Sequence, residues 1–237
     1  MAYQNIFKRY EFKYLLTKSQ KEKIINEMKQ YMKQDEYGKS TICNIYFDTS
    51  DHILIRRSLE KKVYKEKLRV RSYGPTYPTG EVFVELKKKY RSVVYKRRIC
   101  LSEQEAMNYL CQREALLYQN QITHEIDYAC QFYHNIQPSM YIAYQREAYY
   151  GQDDHDLRIT FDENVLWRNY DLSLQSDVYG ESILKEDMVL MEVKIAKAMP
   201  LWLVKFLSDN KLYKISFSKY GKAYLSMLKQ GGKKQYV

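Results

Sequence analysis

Side-chain character alternates with a period of two along eight stretches, at 5–15, 41–48, 62–73, 81–89, 92–101, 140–150, 156–163 and 188–196, and predicts a strand for each. Residues two apart in a strand share a face, so Arg9, Glu11 and Lys13 lie together, opposite Tyr10, Phe12 and Tyr14. The same division recurs. Lys67, Arg69 and Arg71 oppose Leu68 and Val70, and Glu85 and Lys87 oppose Val84 and Leu86. Lys96 and Arg98 share a face, with Val93, Tyr95, Ile99 and Leu101 supplying most of the other. Arg158 and Thr160 oppose Leu157, Ile159 and Phe161, and Glu192 and Lys194 oppose Met191, Val193 and Ile195.

Helical periodicity marks other segments. Thr17-Lys18-Ser19-Gln20 forms a capping-box pattern before the stripe Ile24, Ile25, Met28, Tyr31 and Met32, and Ser102 to Glu105 repeats it before Ala106, Tyr109 and Leu110. Pro200 suits the first position of a helix carrying Leu203, Phe206 and Leu207, and a last helix is predicted from about Ser218 to Lys229. Repeats and linker-like segments are absent and prolines number four, so residues 1–230 read as one α+β domain dominated by antiparallel strands, with 231–237 as a disordered tail.

An ordinary sheet has one solvated face, and for any single strand that accounts for the charges. Across the set the polar faces are mostly basic, whereas a solvated face normally mixes both signs. A sheet closed into a barrel with its polar face inward and its apolar face under helices fits better, and a polyanion would relieve the repulsion inside. The composition points the same way: 39 Lys and Arg against 29 Asp and Glu, a formal charge of +10. Lys219 at the start of the last helix opposes the helix dipole, which implies either a nearby anion or a side chain reaching into solvent.

Several classes are set aside. The first residues lack the apolar stretch of a secretory signal and no apolar run is long enough to span a bilayer, so the chain reads as soluble and cytoplasmic. Cys43, Cys100, Cys111 and Cys130 lie in apolar stretches and form no Cys-x-x-Cys pair, as expected of small buried hydrophobes in a reducing compartment. The glycines build neither a Walker loop nor a dinucleotide fingerprint, and the histidines form no zinc-protease motif. Asp153, Asp154 and Asp156 read as a turn between strands rather than a cation site.

Taken in order, Arg9-Tyr10-Glu11-Phe12-Lys13-Tyr14, Tyr46-Phe47-Asp48-Thr49, Lys67-Leu68-Arg69-Val70-Arg71, Glu85-Leu86-Lys87, Tyr95-Lys96-Arg97-Arg98, Tyr144-Gln145-Arg146, Leu157 to Asp162, Glu192-Val193-Lys194 and Phe217-Ser218-Lys219-Tyr220 resemble the triphosphate tunnel enzymes, within them the VTC type of polyphosphate polymerase domain. The resemblance implies a closed barrel of eight antiparallel strands with flanking helices, around a triphosphate or polyphosphate chain. It implies phosphate contacts from Lys13, Arg69, Arg71, Lys87, Lys96, Arg146, Arg158 and Lys219, with Lys194 a further one. Glu192 would hold a divalent metal, Mn2+ or Mg2+, while Glu11 and Glu85 would assist it or orient neighbouring cations. Asp48 and Asp162 are assigned to strand ends.

The implied reaction transfers the γ-phosphate of ATP to the end of a polyphosphate chain. Related branches begin Glu-x-Glu-x-Lys, and here Arg9 replaces the first carboxylate, which removes a potential metal ligand and favours the polymerase-like branch over a two-metal triphosphatase. The sequence carries neither the membrane segments nor the inositol-phosphate-sensing domain that accompany this domain in eukaryotic complexes, so product export is not expected. A triphosphatase using water as acceptor and a non-catalytic phosphate sensor remain alternatives. Nucleic acid is not an expected partner, because no base-stacking motif is recognisable, and the oligomeric state is open.

Overall fold

A computed structural model describes residues 10–233 apart from 61 and 92. Arg9, which the alternation groups with Glu11 and Lys13, lies outside the described residues, as do 234–237 of the tail. The chain runs β1 (Tyr10–Thr17), α1 (Lys18–Met28), β2 (Met32–Asp48), α2 (Ile53–Leu59), β3 (Tyr64–Tyr73), β4 (Glu81–Tyr90), β5 (Val93–Ser102), α3 (Glu103–Met107), α4 (Gln121–Tyr133), β6 (Gln137–Gly151), β7 (Arg158–Arg168), β8 (Glu181–Ser182), β9 (Met188–Ile195), α5 (Leu201–Asp209) and α6 (Lys219–Lys233). Each predicted strand is present, and both capping boxes form, at Thr17 with Gln20 and at Ser102 with Glu105. Pro200 sits one position earlier than predicted, as the N-cap of α5, and α6 continues to Lys233, past the predicted end at Lys229. The acidic residues after β6 form the expected turn, in which Asp154 accepts from the Leu157 and Asp156 amides.

The strands form one antiparallel sheet in the order β1-β9-β7-β6-β2-β3-β4-β5, with the short β8 attached to β7. In a flat sheet with about 4.8 Å between neighbours, β1 and β4 would stand roughly 29 Å apart. Yet the Glu11 carboxylate on β1 is 3.8 Å from the Lys87 ammonium on β4. The sheet therefore curls into a deep trough whose first and seventh strands face each other.

It is not a closed barrel, which corrects the sequence expectation: among the described residues no hydrogen-bond ladder joins β5 to β1. The free edge of β1 is instead taken by the segment before α6, where the Ile215 amide donates to the Lys13 carbonyl at 2.8 Å. Lys13 Nζ donates to the Phe217 carbonyl at 2.9 Å from the same strand. With part of that edge already satisfied, β5 has less to pair with.

The apolar faces point outward and are covered. Leu68, Val70, Val84 and Leu86 pack with Ala106 of α3 and with Ile126 and Ala129 of α4, while Ile159, Phe161, Met191 and Val193 pack with Ile24 and Met28 of α1 and Leu203 and Leu207 of α5. A third cluster lies inside the curl. Tyr220, Ala223 and Tyr224 of α6 and Ile55 of α2 press on Ile42, Tyr46, Ile142, Tyr144 and Leu190. The end of β2 is therefore buried on both faces, which is why residues 42–48 are uniformly buried. Asp48 closes this end, accepting from the Thr49, Leu54 and Ile55 amides and from the Tyr220 hydroxyl, at 2.8–3.0 Å.

Only two of the four cysteines fit the buried expectation: Cys43 and Cys130 are buried, whereas Cys100 and Cys111 are exposed. Alternation places Cys100 beside Lys96 and Arg98 on the polar face of β5, the outermost strand, where no neighbouring strand covers it. No helix among the described residues is long and apolar enough to cross a membrane.

Candidate functional site

The concave face is built from cross-strand rows, because residues paired across antiparallel strands point to the same side. On one wall, Arg158 pairs with Lys194 and Lys194 with Glu11; the next row runs Ala148, Thr160, Glu192, Lys13; the next holds Arg146, Asp162 and Leu190. On the facing wall, Arg69, Glu85 and Arg98 form one row and Lys67, Lys87 and Lys96 the next. Glu11, Glu85, Asp162 and Glu192 are too few to balance this many cations.

Two buried carboxylate nodes organise the cations. Glu85 receives Arg69 at 2.6 Å, Lys96 at 2.7 Å, Arg98 at 2.7 Å and Arg71 at 3.8 Å. Burial alone would push its carboxyl up, but Arg69, Arg71 and Lys96 hold it far below the usual carboxylate range. Glu192 on the other wall receives Lys13 at 3.2 Å, Lys219 at 3.3 Å and Arg146 at 3.5 Å. Against the cost of burial, Lys219, Lys13 and Arg146 hold it ionised well below its ordinary value. Beside it, Asp162 is gripped by the Arg146 fork at 2.6 and 2.7 Å and by the Lys219 ammonium.

Glu11 and Glu192 converge on one point, since each places a carboxylate oxygen 3.2 Å from Lys13 Nζ. Although burial raises the Glu11 carboxyl, Lys87 and Lys13 pull it down to about 2. Other cations are compensated less fully. Lys67 donates to the Ser218 hydroxyl at 3.0 Å, and among the described residues no carboxylate lies within ion-pair distance of Lys67, Lys194 or Arg158. Burial, with Lys87, Lys13 and Arg69 nearby, lowers Lys67 to about 8 against the pull of Tyr46, and burial, with Arg146 and Lys87, lowers Lys194 to about 8 in spite of the attraction of Glu192 and Glu11. Lys96 also falls to about 8, with burial and the Arg69 and Arg71 charges outweighing its contact with Glu85. The Tyr46 phenol, desolvated but held by Arg69 at 3.1 Å and facing Lys67, is drawn down to about 8. The arrangement is a cation-rich trough with two acidic nodes and, on one wall, a row of three lysines of which Lys96 reaches Glu85, Lys87 reaches Glu11 only at 3.8 Å, and Lys67 meets no carboxylate among the described residues.

The profile of the VTC domain family matches residues 8–228. The chain belongs to that family. Two solved structures share the fold of this VTC domain. One, a candidate adenylate cyclase from Bacillus halodurans, is 14% identical with a TM-score of 0.55, over 91% of this chain and 96% of its own. The other, from Hippeastrum, is a candidate adenylyl cyclase reported to have a dominant triphosphatase activity; it is 15% identical with a TM-score of 0.56, over 91% and 95%. No curated protein matches the chain.

The VTC domain brings Lys13, Arg69, Arg71, Lys87, Lys96, Arg146, Lys194 and Lys219 onto the concave face with Glu11, Glu85 and Glu192. Arg158 shares that face but is exposed, near the rim. Of the two supporting carboxylates, Glu11 stands beside Glu192, and Glu85 is enclosed by cations on the facing wall. Asp48 serves the end of β2 as expected. Asp162 does not: it lies within β7, fully buried, holding Arg146 and Lys219 in place. Lys219 is the first residue of α6 and is buried against these carboxylates and the Tyr144 ring, so it does not reach into solvent. Sequence reasoning passed over Lys67 and Arg98, which the alternation already placed beside Arg69 and Lys96. It also passed over Tyr46, Tyr144 and Ser218, which only tertiary packing brings in.

Proposed function

We propose that this VTC domain is a polyphosphate polymerase-like enzyme, binding ATP and a polyphosphate chain in the trough and transferring the γ-phosphate to the chain end. The observation that carries this reading is the row Lys67, Lys87 and Lys96, three cations directly opposite one another whose contacts with carboxylates are limited to Lys96 on Glu85 and a long one from Lys87 to Glu11. Like charges so placed destabilise a sheet, and a chain of phosphates laid along the row would neutralise them. Phosphoryl transfer asks a protein mainly for alignment and charge neutralisation. Arg69, Arg71, Lys87 and Lys96 on one wall and Lys13, Arg146, Lys194 and Lys219 on the other would supply both, with Arg158 at the rim. The bond from the γ-phosphorus to the β-bridging oxygen breaks, a terminal oxygen of the polymer forms the new bond, and ADP leaves. That oxygen is already anionic near neutral pH, so no general base is required.

The donor set fits a hard divalent cation: Glu11 and Glu192 converge through oxygen, and Mg2+ or Mn2+ needs only one or two carboxylates when phosphates and water complete its shell. No larger cluster of potential ligands occurs among the described residues. When bound, such an ion would neutralise phosphate charge, and Lys13 would then turn from the carboxylates towards the phosphates. Incubation of the pure protein with ATP and Mn2+, resolved on a gel, tests the reading. Long chains support it; free phosphate would assign the trough to a triphosphatase, and unchanged ATP with measurable binding to a sensor.

A further inference from the structure

Thr160 occupies the centre of the wall that carries Glu192, paired across strands with Glu192 on one side and Ala148 on the other. Its residue is 7% exposed, and its hydroxyl is buried without a hydrogen-bond partner among the described residues. Buried hydroxyls are normally satisfied, and one left unpaired carries a cost. Alternation along β7 puts the side chain on the concave face with Arg158 and Asp162, beside the small Ala148. Cations surround the position: Arg158 and Lys194 in the row towards the rim, Arg146 in the row behind, and Lys13 and Lys219 against Glu192. Lysine and arginine are donors only, and the carboxylates of Glu192 and Asp162 are already engaged by cations. What the hydroxyl lacks is an acceptor, and what the surrounding cations lack is an anion.

We propose that Thr160 Oγ1 is a phosphate-binding group, donating its proton to a phosphate oxygen seated between Arg158, Lys194 and Lys13. This inference rests on the reading of the trough as a phosphate site and assigns a subsite within it. A threonine there discriminates where lysines cannot, because one short directional donor fixes an oxygen position, whereas an ammonium on a flexible stem attracts charge without fixing it.

Calorimetric titration with inorganic tripolyphosphate in the absence of metal tests the assignment, using the full chain and the variants Thr160→Val and Thr160→Ser. Valine keeps the shape and removes the hydroxyl. It should weaken tripolyphosphate binding about five- to tenfold while leaving the melting temperature of the free protein unchanged or higher, because an unpaired polar group has been removed. Serine should bind within about twofold of the original. A Val variant that binds as tightly as the original overturns the Thr160 assignment and leaves the trough reading standing. A Val variant that melts several degrees lower overturns it too, by showing a structural role for the hydroxyl. Failure of the unaltered protein to bind tripolyphosphate overturns both.

Discussion

Glu85 neutralises more charge than any other single side chain on its wall, so its removal should be felt twice. Glu85→Gln leaves the buried Arg71 and half-buried Arg69 facing an uncharged amide, with the exposed Lys96 and Arg98 screened by solvent, so the cost should fall below the roughly 3–5 kcal/mol of a fully buried pair broken from one side. The melting temperature should fall, and tripolyphosphate should recover more of it than it adds to the original protein, because the anion now replaces a missing charge. Glu192→Gln acts differently. The fold should persist through the Arg146 and Lys219 contacts with Asp162, while metal-dependent turnover falls at least about tenfold. Manganese titration of turnover in the two proteins checks this, and full activity would move the metal elsewhere. At this scale the sequence revealed much of the site, because alternation alone puts Lys13, Arg69, Lys87 and Glu192 on polar faces. It did not reveal Asp162, since a mid-strand acid becomes informative only when Arg146 from the neighbouring strand and Lys219 from the last helix are seen to close on it.

Among elements, α6 couples the site to the fold. Its first residue, Lys219, is in the acidic node, and one residue later Tyr220 donates to Asp48, which also caps α2. Asp48→Ala removes the acceptor for three amides and a phenol in a buried position. Destabilisation of about 3 kcal/mol or more is expected, with α6 loosened and tripolyphosphate affinity lowered although Asp48 touches no site residue. Denaturant melts together with phosphate titration test the linkage. Strands and capped helices were legible because their signals are local. α2 was not, because its amides are capped by Thr49 and Asp48, four and five residues before its first helical residue, and its N-cap His52 makes no side-chain cap. α4 was missed because Thr123 stands where a capping box usually carries Glu or Gln, although Asn120 and Thr123 do form one.

For the whole molecule, the lysines held at about 8 make binding and stability respond to pH in opposite directions. Lys67 and Lys194 are depressed from an ordinary value near 10.5. Below about pH 8 they are charged, attract polyanions and impose their full cost on the folded state. As pH rises from 8 towards the unfolded value they discharge in the folded state first, so the unfolded chain holds more protons and stability rises. Affinity for polyphosphate should fall over the same interval, and binding near pH 8 should take up protons. Melting curves and calorimetry in buffers of different ionisation enthalpy measure both trends. Affinity should also fall steeply with added salt, since several cations meet the polyanion at once. Polar-in, apolar-out architecture was readable from the run of basic strand faces. The failure of the sheet to close was not, and the segment that does meet the edge of β1, at Ile215, lies far along the chain.

That unsealed edge bears on how a very long ligand gets in. A ring sewn shut by a ladder of backbone bonds admits a polymer only by threading one of its ends. Here, among the described residues, β1 and the opposite wall meet through a long ion pair between Glu11 and Lys87, and Lys67 reaches the segment before α6 through the Ser218 hydroxyl. Side-chain contacts of this kind part at little cost in salt water. The molecule can therefore work as a clasp rather than an eyelet, and a polyphosphate whose ends are blocked, or a cyclic one with no ends at all, should still be able to enter from the side.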